Sequence, residues 1–107
     1  MDYKLLLAGE WIETGEWDEV LSPYDESVVA RVAMGAESHI DKAVRAAHQV
    51  FIEGGLPQYE RAEILDRAAG IARDRQEDLA QTIAAEAGKP LKTARVEAAR
   101  TADTLTF

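Results

Sequence analysis

Glu86-Ala87-Gly88-Lys89-Pro90-Leu91 is the stretch on which the reading of this chain turns. Glycine tolerates the left-handed backbone that closes a helix. Proline carries a φ suited to a first helical turn but has no N–H for an unbroken ladder. The spacing therefore predicts one helix ending near Ala87 and another starting near Pro90. Lys89, beside the closing glycine, is placed to offset the negative end of the preceding helix dipole. Downstream, Leu91, Ala94, Ala98, Ala102 and Leu105 share one face of a 3.6-residue period. That pattern runs to Phe107 with no stop signal, so the helix is expected to be cut in mid-pattern. Upstream, a stripe of Leu65, Ala68, Ala72, Leu79 and Ile83 marks a long helical stretch that begins after Pro57. Arg73 to Asp78 is polar throughout and reads either as an exposed turn of one helix or as a break between two.

Working back, Ile40, Ala43, Val44, Ala47 and Phe51 form another apolar face, stopped by Gly54-Gly55. Ser38, with Asp41 three residues on, resembles an N-cap signal. Residues 36–107 are thus expected to be three or four helices. Residues 1–35 carry β-type signals instead. Leu5-Leu6-Leu7 and Glu10-Trp11-Ile12-Glu13 flank Ala8-Gly9 and read as a hairpin. A two-residue hairpin turn requires positive φ at both positions, which alanine accepts poorly. Thr14-Gly15 is a second break. Trp17 to Leu21 and the Val28-Val29-Val32 segment suit strands, joined by a turn at Ser22-Pro23-Tyr24-Asp25 with proline in its second position.

Composition narrows the function classes. The 107 residues contain no cysteine and carry a net charge of −8. Disulfides, thiolate metal sites and a thiol nucleophile are excluded from this chain, and an acidic surface repels nucleic acid. No apolar run approaches a membrane span, and Met1-Asp2-Tyr3-Lys4 is not the basic start of a secretory signal, so the cytoplasm is the expected location.

The search for chemistry is largely negative. His39 and His48 do not share a helix face and have no partner at ligand spacing. Gly54-Gly55 and Gly88-Lys89 are too isolated for a phosphate loop and read as helix ends. Glu60 with Glu63, and Glu77 with Asp78, sit among Arg61, Arg67, Arg73 and Arg75 and read as helix-surface pairs rather than acid–base dyads. Trp11 and Trp17 are expected to pack a hairpin onto helices. No residue is assigned a catalytic, cofactor-binding or metal role.

The order of these motifs resembles the start of the NAD(P)-dependent aldehyde dehydrogenase superfamily. Leu7-Ala8-Gly9-Glu10-Trp11-Ile12 is similar to its opening hairpin. Ser22-Pro23-Tyr24-Asp25 with Val28 to Val32 is similar to its Asn-Pro turn and following strand. Ile40 to Ala47, Tyr59 to Leu65, Glu86 to Leu91 and Glu97 to Phe107 resemble its successive helices, with Glu-x-Gly-Lys-Pro as a signature. Ala8 for Asn, Ser22 for Asn, and Glu26 where glycine is common depart from the pattern and put local turn geometry in doubt. The resemblance implies an α/β parent of which residues 1–107 are the N-terminal part of the cofactor-binding domain: β-hairpins over 1–35, helices over 36–107. Family enzymes oxidise an aldehyde through a thiohemiacetal on a cysteine, pass hydride to the nicotinamide of NAD or NADP, and use a glutamate to activate water. A backbone amide and an Asn side chain hold the oxyanion. Those residues belong to later segments; this chain has neither cysteine nor asparagine. The catalytic and oligomerisation regions are expected to be absent, and no cofactor is expected to bind these residues.

The leading expectation is therefore a structural part of an oxidoreductase, inactive alone, whose partner is the rest of the parent chain. A stand-alone interaction or regulatory module derived from that family is the alternative, and an unrelated small helical protein the third class. The apolar stripes need partners, so the isolated chain is expected to self-associate or to be only partly ordered.

Overall fold

A computed structural model describes residues 1–106. Phe107, where the helical pattern runs out, lies outside the described residues. The order is β1 (Asp2–Tyr3), β2 (Leu5–Leu7), β3 (Glu10–Ile12), β4 (Trp17–Leu21), β5 (Val28–Ala33), α1 (Glu37–Ile52), α2 (Gln58–Asp74), α3 (Gln76–Ala87) and α4 (Leu91–Thr106). Short strands followed by helices match the expected class. Two compact units emerge: Met1–Leu21 with Ser27–Gly55, and Ser22–Glu26 with Leu56 onward.

The first unit holds both sheets and α1. β2 and β3 form the expected antiparallel hairpin, Leu5 opposite Ile12 and Leu7 opposite Glu10. Its turn is paid for in backbone strain: Ala8 sits at φ 51° and Gly9 at 85°, the left-handed pair that a two-residue turn needs to match strand twist. Lys4 and Glu13 close the open end at 2.9 Å. β4 and β5 pair antiparallel with an irregularity at Val20/Leu21. β1 adds to the far side of β5 in parallel, Asp2 opposite Arg31. Nothing in the local pattern announces that pairing, because two residues carry no periodicity and their partner lies 29 positions away. The Arg31 guanidinium donates to Asp2 through Nε (3.0 Å) and Nη2 and lies 5.8 Å from the Trp17 ring centroid.

α1 ends at the predicted glycines. Gly54 and Gly55 both have positive φ, and the Gly55 N–H donates to the Val50 carbonyl at 2.9 Å. Its start corrects the Ser38 cap. Ala36 is the N-cap residue, and Ser38 lies inside the first turn. The reason is His39: its Nδ1 accepts the Ala36 N–H at 2.9 Å, the reciprocal half of a capping box with imidazole in place of carboxylate. A second expectation is also corrected: Trp11 does not pack onto a helix but is 67% exposed.

The second unit is three helices. α2 starts after Pro57, whose carbonyl accepts the Arg61 N–H at 3.1 Å. The polar stretch from Arg73 resolves as a break at Arg75 (φ −104°, ψ 17°) between α2 and α3. α3 closes on Gly88 in the left-handed region, φ 62°, and α4 opens with the Pro90 carbonyl accepting the Ala94 N–H at 3.0 Å. The predicted elbow is therefore present. Ala94, Ala98 and Ala102 are buried along α4, as its stripe predicts, and the first two cluster with Ala80 of α3. On α2 and α3 the fully buried positions are Ala69 and Ala80, neither of them in the predicted stripe. Leu65 is exposed, while Leu79 and Ile83 flank the alanine core. Methyl side chains let the helix axes approach closely, and the larger apolar residues are left around the contact instead of inside it.

Candidate functional site

The two family-like loops meet in the second unit. Ser22–Glu26 closes as a five-residue turn: the Glu26 N–H donates to the Ser22 carbonyl at 2.9 Å, and the Tyr24 N–H donates to Ser22 Oγ at 3.3 Å. Closing over one residue more than the expected four-residue turn forces Glu26 to φ 59°. Pro23 lies against the α3–α4 elbow. A Cβ added to Gly88 would sit 3.4 Å from Pro23 Cβ and 3.5 Å from its Cγ. The space beside the Gly88 Cα is thus filled by a proline ring, and its left-handed backbone closes α3 as a helix end. Gly54 has no atoms within 4 Å of its missing side chain.

Charge at this elbow is held in interhelical pairs. Lys89 Nζ pairs with Glu97 on α4, so the lysine answers a carboxylate as well as the end of α3. Arg95 donates to both carboxylate oxygens of Glu77, Nε and Nη2 each at 2.9 Å, and Gln81 Nε2 donates to the same carboxylate at 2.9 Å. The hydrogen bonds from Arg95 and then Gln81 lower the Glu77 pKa to about 2. This corrects the expectation for Glu77: its partner is not one of the arginines near it in sequence but Arg95 on α4, 18 positions away. Asp78 does pair locally, with Arg75 at 3.5 Å. Glu60 accepts from the Tyr59 hydroxyl at 3.1 Å. Asp2 and Glu77 are both shifted down by their arginine partners, the opposite of what a general acid needs.

The remaining residues weighed for chemistry stay apart. His39 caps α1 and His48 is exposed on it. Among the described residues no group of three His, Cys, Asp or Glu is arranged to hold a metal ion. No described helix is long and apolar enough to cross a membrane. One open hollow of about 250 Å³ lies among Ala68, Ile71, Ala72, Arg75, Leu79 and Thr101 and is lined mostly by apolar side chains. The Glu77–Arg95–Gln81 network is what sequence reasoning missed. Its only trace in the sequence is that Glu77 and Gln81 stand four apart, one turn of helix.

The profile of the aldehyde dehydrogenase family matches residues 11–107. The chain belongs to the aldehyde dehydrogenase family. Among curated relatives, 3-sulfolactaldehyde dehydrogenase of Priestia aryabhattai is 36% identical over 103 residues, covering 96% of this chain and 21% of the relative. A putative aldehyde dehydrogenase of Staphylococcus saprophyticus is 38% identical over 94 residues, covering 85% of this chain and 20% of the relative. Among solved structures, 3,6-anhydro-L-galactose dehydrogenase superposes with a TM-score of 0.90 at 30% identity, covering 99% of this chain and 23% of that one. Aldehyde dehydrogenase 21 of Physcomitrella patens gives 0.90 at 33%, covering 97% and 22%. The chain spans about a fifth of the length of the relatives it matches, and the fold is that of the family's N-terminal portion.

Proposed function

We propose that these residues are the N-terminal structural part of an enzyme that oxidises an aldehyde to a carboxylic acid with NAD or NADP, and that they buttress its cofactor-binding domain without touching the reacting atoms. The observation that carries this reading is the family match over residues 11–107 of a chain without cysteine. Two of the relatives by structure are described in complex with dinucleotides, which supports NAD(P) as the parent's oxidant. When bound, that cofactor would accept hydride. On this reading the cofactor is held by later segments; the Gly88 elbow here packs against Pro23. What this chain supplies is geometry: an alanine-cored helical unit with large apolar residues left on its surface for a further layer.

A chimera tests this. The segment of the Priestia 3-sulfolactaldehyde dehydrogenase that matches this chain is replaced by residues 1–107, and aldehyde-dependent NAD(P)H formation is followed. The chimera is expected to fold and to retain activity, while the 107-residue chain alone forms no NAD(P)H above a buffer blank. A folded chimera without activity, or an active isolated chain, refutes the assignment.

A further inference from the structure

α1 begins without the kind of residue that ordinarily caps a helix. Its N-cap is Ala36, whose methyl group can accept nothing from the N–H groups of the first turn. Instead, the Ala36 N–H donates to Nδ1 of His39 at 2.9 Å. A carboxylate or carboxamide in that place keeps its acceptor at neutral and mildly acidic pH alike. An imidazole does not. Nδ1 accepts through the lone pair that the neutral ring leaves free, with the proton on Nε2, whereas the doubly protonated ring has donors only.

We propose that His39 makes the first turn of α1 a pH-sensitive latch, closed while the imidazole is neutral and released when it is protonated. The proton takes the Nδ1 lone pair, the bond from Ala36 breaks, and the freed N–H turns to water. Charge acts in the same direction, because a cation in the first turn meets the positive end of the helix dipole. On α1 itself, Glu37 in the same turn attracts the new charge and Lys42, three residues on, repels it. Asp41 is engaged with Arg45 at 3.7 Å. The β2–β3 hairpin comes from the other side. His39 stands one and two turns before Ala43 and Ala46, which line a hollow with Leu6 and Leu7, and a Cβ on Gly35 would lie 3.9 Å from Leu5 Cδ2. The charged side chains of the hairpin are Lys4 and Glu13, paired with each other at 2.9 Å, and Glu10 beside its turn. Glu16 anchors the approach to the helix through its carbonyl, which accepts the Met34 N–H at 2.9 Å. Release is therefore confined to the link after Met34 and the first turn of α1.

Donor and acceptor are three residues apart, so the latch depends neither on the aldehyde chemistry nor on what else packs against α1. Amide exchange with water, followed by NMR on the 107-residue chain, tests it at about pH 8 and about pH 5, the two sides of the histidine range. After correction for the intrinsic pH dependence of exchange, the Ala36 N–H should be protected about fivefold on the alkaline side, the ratio a typical capping bond supplies. It should be unprotected on the acid side, the loss tracking the titration of the His39 ring. His39→Gln keeps an acceptor and has no titrating group, so protection should persist on both sides. His39→Glu should move the response down to the carboxylate range, about pH 4. His48→Gln removes the other histidine of α1, exposed on the same helix, and should leave the response as it is. An Ala36 N–H equally protected on both sides, one unprotected on both, a response that survives in His39→Gln, or one abolished by His48→Gln overturns the proposal. If the His39 variants fail to fold, the unaltered chain and His48→Gln decide it.

Discussion

Replacing Gly88 by alanine should destabilise the helical unit, whereas the same replacement at Gly70 should stabilise it. Gly88 stands at φ 62°, and its Cβ would meet Pro23 at 3.4 Å. An L-residue in that region costs about 1–2 kcal/mol. Alanine returns about 0.5–1 kcal/mol by restricting the unfolded chain. The tight approach to Pro23 adds a few tenths unless the Ser22–Glu26 loop shifts. The net loss is about 1 kcal/mol, or roughly 4–8 °C in the midpoint of a domain this small. Gly70 lies within α2 with nothing within 4 Å of an added Cβ and no positive φ, so only the favourable term remains, about 0.5–1 kcal/mol. Urea unfolding followed by circular dichroism measures both, with unchanged m-values as the check that the unfolded states are comparable. If Gly88→Ala leaves the midpoint unchanged or raises it, the left-handed elbow and its contact with Pro23 do not exist as described. If both variants shift alike, the difference in backbone geometry between the two glycines is not what sets their effects.

Ala8→Asn and Glu26→Gly put tolerant residues at φ 51° and 59° and should each raise the urea midpoint, by about 0.5–1 kcal/mol. Ala98→Leu, at a position 1% exposed between α3 and α4, should cost about 1–3 kcal/mol by overpacking, read as a lower thermal midpoint. The lowered Glu77 pKa implies stability that is present above the ordinary value of 4.5 and lost as pH falls through about 2. Glu77→Gln should flatten the acid limb of the stability curve between those values, and an unchanged limb would place the coupling elsewhere.

Residue order alone is enough to place where elements stop and which family they belong to. Gly54-Gly55 and Gly88-Lys89-Pro90 end and restart helices for reasons confined to their own backbone, so position alone was enough to read them. The hairpin turn was legible in the same way, strain at Ala8 included, because a two-residue connection allows few backbone geometries. The α4 stripe was legible because its buried alanines recur once per helical turn on a single face. Tertiary structure decided the rest. β1 found β5 only when the chain folded back on itself. Arg73 to Asp78 is equally comfortable as helix or as break, since every residue is polar, and the break came with the packing of α3 on α4. Periodicity ranked Leu65 above Ala69, but close helix contact rewards the smaller side chain. Glu77 pairs with Arg95 across the helix pair, where two donors of one guanidinium reach both carboxylate oxygens, while Arg75 pairs with Asp78 instead. Local steric rules are written residue by residue; choices among equivalent partners are settled by distance in space, which sequence order does not encode.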